Sequence, residues 1–259
     1  MEKNKIEMIK KIIINADDFG LKSSINKAIV ESFNIGVINS TTLMSNMPGF
    51  DEAVELAHKF HITNRIGIHL NLDAGHLLTS DIHSTSIFDS ENHLHLRNKR
   101  MNLFLISKNE KNIIYKEFEA QIEKLKKAGI KITHIDTHHH IHEIWPMTKI
   151  ILVLLKEYNI SSMRILNNIN RATRFYKIGY RQLVNKAIKI NNANFSDFFG
   201  NQLEVISLLK NHPSIYFDKQ IEGMVHPDYN SKGILIDKID GKELNFEYPE
   251  FLSKLISLD

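Results

Sequence analysis

The chain has 259 residues, 42% of them hydrophobic, which is enough for one large globular domain or two small ones. Its net charge is +3 with lysine and arginine spread along the chain, so no basic patch indicates a nucleic-acid partner. Cysteine is absent, which excludes disulfides and thiolate metal sites. The longest apolar run, 150–155, is too short to cross a bilayer, and residues 1–10 lack the apolar core of a secretion signal. We therefore expect a cytoplasmic protein with no membrane partner.

The first predicted element is a buried strand that ends in two carboxylates. Ile12–Ile14 is a continuous apolar run, typical of a strand inside a parallel sheet. Asp17 and Asp18 follow almost at once, and burying a carboxylate is costly unless a metal or a hydrogen-bond donor compensates. Because α/β proteins carry their chemistry at the carboxyl ends of such strands, the pair predicts a functional site. An Asx turn before the next helix explains the pair about as well.

Strands and helices alternate along the rest of the chain. This alternation predicts an α/β fold with parallel strands and right-handed crossovers, built as a single domain over residues 1–259. Further strands are predicted at 37–45, 65–72, 131–136, 162–166 and 221–225. Helices are predicted at 25–35, 51–59, 112–128, 147–158, 171–190 and 203–210, with a terminal helix from Pro249.

Residues 73–110 interrupt this pattern and are predicted to be an insertion. The segment is long, polar and rich in histidine, without a sustained period, and loops of this length are uncommon unless they have a function. Its histidines could line a pocket, although a surface loop is the simpler interpretation for each. They are His76, His83, His93 and His95.

Histidines also stand at the ends of the predicted strands. In the strand around His69, alternation places Asn71 on the same face as the histidine. In the segment 133–142, the same alternation places His134, Asp136 and His138 on one face. Imidazole with carboxylate is a usual ligand set for zinc and other divalent cations, so this segment predicts a metal site.

Two more residues are candidates for roles around such a site. Asp136 could orient one of the histidine rings, as carboxylates commonly do behind metal-binding imidazoles. His226, which follows the predicted strand 221–225 and precedes Pro227, is a candidate general acid, with a simple turn histidine nearly as good an interpretation.

Together these motifs resemble the YdjC/ChbG-type carbohydrate deacetylases. The matching segments are Asn-Ala-Asp-Asp-Phe-Gly at 15–20, Gly-Ile-His-Leu-Asn-Leu at 67–72, Thr-His-Ile-Asp-Thr-His-His-His-Ile-His at 133–142 and Met-Val-His-Pro at 224–227. They occur in the family's order and cover nearly the whole chain. The resemblance implies an irregular (β/α) TIM-like barrel and one divalent metal ion, Mg²⁺ or Zn²⁺. It also implies hydrolysis of an N-acetyl group on an amino sugar, with chitooligosaccharides as the substrate type, and a homodimer is common for such barrels.

The resemblance further implies roles for individual residues. The implied metal ligands are Asp18, His69 and His138, with His140 as the alternative to His138. The implied general base is Asp17, the implied general acid is His226, and Arg164 and Asn71 are assigned to substrate binding.

Two other functions compete with this interpretation. One is a metal-dependent phosphoesterase on the same barrel, and the other is a non-catalytic sugar-binding barrel. The sequence contains no second carboxylate-rich cluster of the kind that holds two or three metals, which argues against the first. Every residue of the matching motifs is present, which argues against the second.

Overall fold

The structure, a computed structural model, describes residues 12–79, 106–169, 175–191, 196–212 and 219–244. Its strands are β1 (Ile12–Phe19), β2 (Ser40–Leu43), β3 (Ile66–Leu70), β4 (Ile135–Thr137), β5 (Phe198–Asn201), β6 (Ile221–Val225), β7 (Pro227–Tyr229) and β8 (Leu235–Asp237). The first six form one parallel sheet in the order β4-β3-β2-β1-β6-β5, and β7 and β8 form an antiparallel ribbon. The predicted α/β class is therefore confirmed.

Six α-helices accompany these strands in the described ranges. They are α1 (Ser23–Asn34), α2 (Phe50–Lys59), α3 (Lys108–Lys127), α4 (Trp145–Glu157), α5 (Phe175–Asn191) and α6 (Gln202–Asn211). Two of them begin with reciprocal hydrogen bonds that satisfy backbone donors of the first turn. In α3 these bonds join Ser107 and Glu110, and in α6 they join Asn201 and Glu204.

The core lies on both faces of the sheet, as expected for parallel strands covered by helices. Ile13 is the only partly exposed residue of β1, and the other residues of this strand are buried. From the helix side, the apolar stripe of α3 is fully buried against this core. The stripe consists of Ile114, Phe118, Ile122 and Leu125, the residues that helical periodicity predicts.

One irregular segment, 162–169, contacts both edges of the sheet. At its start, Met163 forms a parallel bridge with Ile135 of β4, and the Arg164 N–H donates to the Ile135 carbonyl at 2.9 Å. Near its end, the Asn168 N–H donates to the Phe199 carbonyl of β5 at 3.2 Å. The segment thus spans the space between the two edge strands without being a regular strand.

Several predicted boundaries differ from the structure. The strand predicted at 162–166 is reduced to isolated bridge residues at Ser162 and Met163, and the strand predicted at 131–136 is observed as Ile135–Thr137. Strand β5 and the ribbon of β7 and β8 are absent from the predictions. The predicted helix 171–190 is observed as Phe175–Asn191. Most of the predicted insertion and the terminal helix from Pro249 lie outside the described residues, and the single-domain assignment stays a prediction.

Gly67 of β3 allows a close approach between strands. A Cβ atom on Gly67 would lie 2.6 Å from the His134 carbonyl oxygen and equally close to the His134 ring. The missing side chain therefore makes room for His134, whose Nε2 lies 3.1 Å from Asn15 Oδ1 beneath the end of β1.

We predict that Gly67→Ala destabilises the fold by about 1–3 kcal/mol, because the methyl group collides with backbone as well as with a side chain. Gly179→Ala is the matched control. Gly179 lies in α5 with nothing near its Cβ position, so alanine should stabilise that helix by about 0.5–1 kcal/mol. Urea unfolding of the two variants measures both effects. Equal stability of the two variants would contradict the close approach.

Candidate active site

The two adjacent aspartates lie at an irregularity of β1. Ala16 pairs with Thr41 and Phe19 pairs with Leu43, so three steps along β1 match two steps along β2. A bulge of this kind bends a strand and re-aims its side chains. Asp18 has a left-handed backbone conformation, φ 69°, which aspartate adopts more readily than most residues. Both carboxylates are buried at the carboxyl end of the sheet.

Asp18 lies between two histidines that come from different strands. Its Oδ1 is 3.3 Å from Nε2 of His69 in β3 and 3.0 Å from Nδ1 of His138, which follows β4 directly. Potential ligand atoms of these three residues all lie within 4.8 Å of one another, and we call Asp18, His69 and His138 the inner group. Two ligands at ~2.1 Å from one ion are ~3.0–3.4 Å apart, so this spacing suits a shared cation.

A carboxylate and a hydroxyl fix the ring of His69. Its Nδ1 lies 2.6 Å from Asp136 Oδ1 and 3.2 Å from Thr42 Oγ1, and Thr42 also donates to Asp136 Oδ2 at 3.0 Å. Burial lowers the pKa of His69, but the charge and hydrogen bond of Asp136, together with Asp18, raise that pKa to about 10. Because Nδ1 is engaged, the ring presents Nε2 to Asp18, the arrangement typical of metal-binding histidines backed by a carboxylate.

Arg164 is buried, with 2% of its surface exposed, and it forms ion pairs with three carboxylates. Its two terminal nitrogens each lie 2.7 Å from one oxygen of Asp17. Nη1 also lies 2.8 Å from Asp136 Oδ2, and Nε lies 2.6 Å from Glu222 Oε1. The planar guanidinium group suits such two-point pairing. One side chain therefore fixes Asp17, Asp136 and Glu222.

These ion pairs change how the carboxylates titrate. Burial raises the pKa of Asp17, but the charge and hydrogen bonds of Arg164 outweigh burial and hold that pKa well below its usual range. Asp17 is therefore ionised at neutral pH. For Glu222, burial raises the pKa even though Arg164 lies beside it.

Potential ligand atoms of Asp17, His69 and Asp136 also lie close together. The two carboxylates of this second cluster already pair with Arg164, and Asp17 Oδ1 accepts a further hydrogen bond from Asn15 at 2.9 Å. Both carboxylates thus have a cationic partner within the protein, whereas Asp18 pairs with no arginine or lysine in the described residues, which makes the inner group the better candidate for a cation.

The histidine-rich segment departs from the alternation that the sequence predicts. Strand β4 ends at Thr137, and His138–Glu143 follows as short 3₁₀ turns interrupted by a kink, where His139 and His140 have left-handed φ values of 47° and 53°. His138 rather than His140 lies beside Asp18. His140 is half-buried and points away from Asp18, and desolvation lowers its pKa to about 4.

His226 lies directly after β6 and is half-buried. Its backbone N–H donates to Asp237 Oδ1 at 3.3 Å, and its carbonyl accepts from the Lys238 N–H at 2.9 Å. The His226 Nδ1 is buried and has no hydrogen-bond partner within the described ranges. Val225, which precedes His226, pairs with Ala16, which precedes Asp17, so the two residues follow neighbouring strand ends.

Asn71 has a buried side chain that holds the loop after β3. Its Nδ2 donates to Asn46 Oδ1 at 3.0 Å and to the Ala74 carbonyl at 2.6 Å. Its Oδ1 accepts from the Asp73 and Ala74 N–H groups, both at 3.1 Å. Gln121 of α3 binds the Asn71 backbone on both sides. Substrate binding by Asn71 and by the equally buried Arg164 stays a prediction, and the contacts observed for both are internal.

The structure brings together Asp17, Asp18, His69, His138 and Arg164, which come from four separate segments of the sequence because the two aspartates are adjacent. The sequence analysis missed Thr42 and Glu222. Glu222 gives a usable signal, since it is a lone carboxylate within the apolar strand Ile221–Val225. Thr42 gives none, because threonine is common in strands for packing reasons.

The fold and this site define an α/β protein whose strand ends assemble a donor set for a divalent cation. A family model described as "YdjC-like protein" matches residues 11–250, and the chain belongs to this YdjC-like family. The chain is 34% identical over 239 residues to a carbohydrate deacetylase of Brevibacillus brevis, covering 92% of this chain and 89% of the relative. It is also 34% identical over 218 residues to a carbohydrate deacetylase of Clostridium beijerinckii, covering 82% and 84% of the two chains.

A solved structure shares the fold. It is a crystal structure of an Enterococcus faecalis V583 protein described as a candidate for cellobiose-phosphate cleavage. The two chains superpose with a TM-score of 0.71 at 23% sequence identity, covering 94% of each. Within the described parts of the present chain, the helices all fall short of the length and apolar character that a bilayer span requires.

We predict that Arg164→Met destabilises the protein by about 3–5 kcal/mol at pH 7, because three buried carboxylates lose their shared cation. The lowered pKa of Asp17 means that the wild-type ion pair stabilises the fold at neutral pH and that this contribution is lost as pH falls. In the variant, burial without Arg164 raises the pKa values of Asp17 and Glu222, so protonation relieves these two carboxylates at lower pH. The deficit relative to wild type should therefore shrink between pH 7 and pH 4.

Urea unfolding at both pH values measures this deficit. Arg65→Met, at an exposed arginine, is the matched control and should change stability by less than about 0.5 kcal/mol at either pH. A deficit for Arg164→Met that is small, or that grows on acidification, would contradict the role assigned to the ion pairs.

Proposed function

We propose that this protein is a metal-dependent carbohydrate deacetylase that removes an N-acetyl group from an amino sugar and releases acetate. The observation that carries the proposal is the inner group, in which Asp18 lies 3.0–3.3 Å from nitrogen atoms of two histidines, with the separate carboxylate Asp17 next to it in the sequence. Relatives that match over most of this chain are named carbohydrate deacetylases, which supports the same reaction class.

The proposed ligands Asp18, His69 and His138 fit one divalent cation by donor type and by charge. Two imidazoles and a carboxylate are a common set for Zn²⁺, and Mg²⁺ is the other candidate from the sequence. Four buried carboxylates surround the site, whereas Arg164 is the only permanent cation that the described contacts provide to them, since His69 binds a metal only as a neutral imidazole. A bound divalent cation compensates the remaining negative charge. The three carboxylates that accompany Asp18 are Asp17, Asp136 and Glu222.

The proposed fold is an irregular (β/α) TIM-like barrel. Its support is the segment 162–169, which hydrogen-bonds to β4 at one end and to β5 at the other and so links the two edge strands of the sheet. In such barrels the carboxyl ends of the strands carry the active site, and the inner group lies at that end.

Asp17 is the proposed general base. A cation held by the inner group supplies a Lewis acid that polarises the amide carbonyl and lowers the pKa of a water molecule. Asp17 accepts the proton that the attacking water loses. Arg164 prepares Asp17 for this role, because it keeps the carboxylate ionised and holds both of its oxygens in place.

His226 is the proposed general acid. An amide nitrogen leaves poorly unless it is protonated, so a second group must donate a proton to the departing amine. His226 lies after β6, the strand that pairs with β1, and its charge acts on Asp17. Its buried Nδ1 without a partner leaves a ring that can exchange a proton with substrate. The products are acetate and a free amino sugar.

The proposed substrate is a chitooligosaccharide-like compound that carries an N-acetyl group. We predict that the purified protein releases acetate from N-acetylated chitooligosaccharides in the presence of Zn²⁺ or Mg²⁺, and that a chelator abolishes the release. Cellulose-derived oligosaccharides without an acetamido group are the matched control and should yield no acetate. Phosphate release from sugar phosphates, with no acetate from any acetylated sugar, would replace the deacetylase with the phosphoesterase alternative.

Substitution at the proposed residues should separate their roles. Asp17→Asn should keep the metal but lose activity by about 10²–10⁴-fold, because an amide accepts no proton. Asp18→Asn should weaken metal binding, and excess metal should restore part of the activity. His226→Asn should keep the metal and slow the release of a poor amine leaving group far more than that of a good one such as p-nitroaniline.

Metal content and acetate release, with and without added metal, distinguish these outcomes. If Asp17→Asn loses the metal and Asp18→Asn retains it, the two aspartates have the opposite roles. If His226→Asn slows both leaving groups equally, His226 is not the acid. Full activity in both aspartate variants would remove the basis of the proposal.

A further inference from the structure

A second pair of potential ligands lies at the rim of the inner group. Asp73 is in the loop after β3, and His139 lies at the kink in the segment that follows β4. Their Oδ2 and Nδ1 atoms are 2.5 Å apart. The Asp73 side chain is only 9% exposed, whereas that of His139 is 57% exposed, so the pair lies where the buried site meets solvent.

Asp73 has a buried oxygen without a partner. Its Oδ1 accepts no hydrogen bond from any described residue, although the oxygen is shielded from solvent. A buried carboxylate oxygen without a donor is costly and therefore uncommon in folded proteins. A cation placed against Oδ1 would compensate this charge.

His138 extends the pair to three residues. Potential ligand atoms of Asp73, His138 and His139 all lie within 4.8 Å of one another, and we call these residues the outer group. The ring centroids of His138 and His139 are 3.9 Å apart with an interplanar angle of 34°. The left-handed backbone at His139, φ 47°, turns its ring towards Asp73 rather than letting it follow the strand alternation. A non-glycine residue held in that conformation is frequently part of a functional site.

We propose that the outer group is a second divalent-cation site, next to the inner group and sharing His138 with it. Two imidazoles and one carboxylate favour Zn²⁺, Co²⁺ or Ni²⁺ over Mg²⁺. This site goes beyond the proposed deacetylase reaction and needs only the residues of the outer group.

Sharing His138 makes the two sites unequal. A neutral imidazole has one nitrogen with a free lone pair, so His138 binds one ion at a time. When the inner group holds an ion, the outer ion has Asp73 and His139 as its protein ligands. We therefore expect outer binding to be weaker by at least about 10-fold, since losing even a group that only supports a ligand costs about 10- to 100-fold.

Equilibrium dialysis with Co²⁺ tests the proposal, with visible absorption as a second readout of bound Co²⁺. Wild type should bind one tight and one weaker equivalent. Asp73→Asn and His139→Gln should each lose only the weaker equivalent of Co²⁺. Asp18→Asn should still bind one equivalent of Co²⁺. The double variant Asp18→Asn/Asp73→Asn should bind none. His76→Gln is the matched control, an exposed histidine of the same loop, and should bind like wild type.

Circular dichroism of each variant reports folding, and His139→Gln keeps the test decisive if the Asp73 variant fails to fold, since His139 is exposed. A single equivalent in wild type at millimolar Co²⁺, or a weaker equivalent that survives both Asp73→Asn and His139→Gln, would overturn the second site. Failure of the deacetylase proposal is distinguishable, because wild type would then bind both equivalents and release no acetate.

Discussion

The pairing of one buried arginine with three buried carboxylates is the constraint on which the rest of this site depends. Asp17 comes from β1, Asp136 from β4 and Glu222 from β6, and each would be costly to bury alone. Arg164 satisfies all three from the irregular segment that spans the edges of the sheet. Because that segment is not a regular strand, it can place the guanidinium group of Arg164 between the three carboxylates.

The orientation of the inner group follows from this ion-pair network. Arg164 fixes Asp136, Asp136 fixes the ring of His69, and His69 presents its Nε2 to Asp18. Each contact in this series is shorter than 3.5 Å. A displacement of the Arg164 side chain would therefore also displace Asp136 and the ring of His69. Preorganisation of this kind is what a metal or a reacting group needs, because the protein has already met the cost of ordering the ligands.

The sequence predicts the parts of the fold and site that depend on local pattern. The isoleucine run before Asp17, the helical stripe ending at Leu125 and the strand Ile221–Val225 all follow from periodicity, and the structure places them as expected. Local pattern indicates the aspartate pair, His69 and the segment 133–142 as candidates at strand ends, and the family resemblance selects Asp18, His69 and His138 among them. The convergence of these three residues depends on tertiary structure, because the order of strands in the sheet brings them together.

Other features depend on contacts that local pattern does not encode. Strand β5 is short and lies in a polar stretch, where its pairing with β6 rather than its own sequence decides the conformation. The alternation expected through the histidine-rich segment ends at Thr137, because His139 and His140 adopt left-handed conformations held by the surrounding structure. Asn71 shares a face with His69 in the pattern, yet its amide is engaged by the loop that follows.

The left-handed backbones at Asp18 and at His139 also determine how mutational scans of this protein should be interpreted. Alanine has no side-chain oxygen or ring to favour that conformation, and it carries the steric cost of its Cβ, about 1–2 kcal/mol. The effect of an alanine substitution at either position therefore has two contributions, the loss of the functional group and the change in backbone preference. Glycine, which adopts the conformation freely, provides the baseline against which the side-chain contribution alone can be measured.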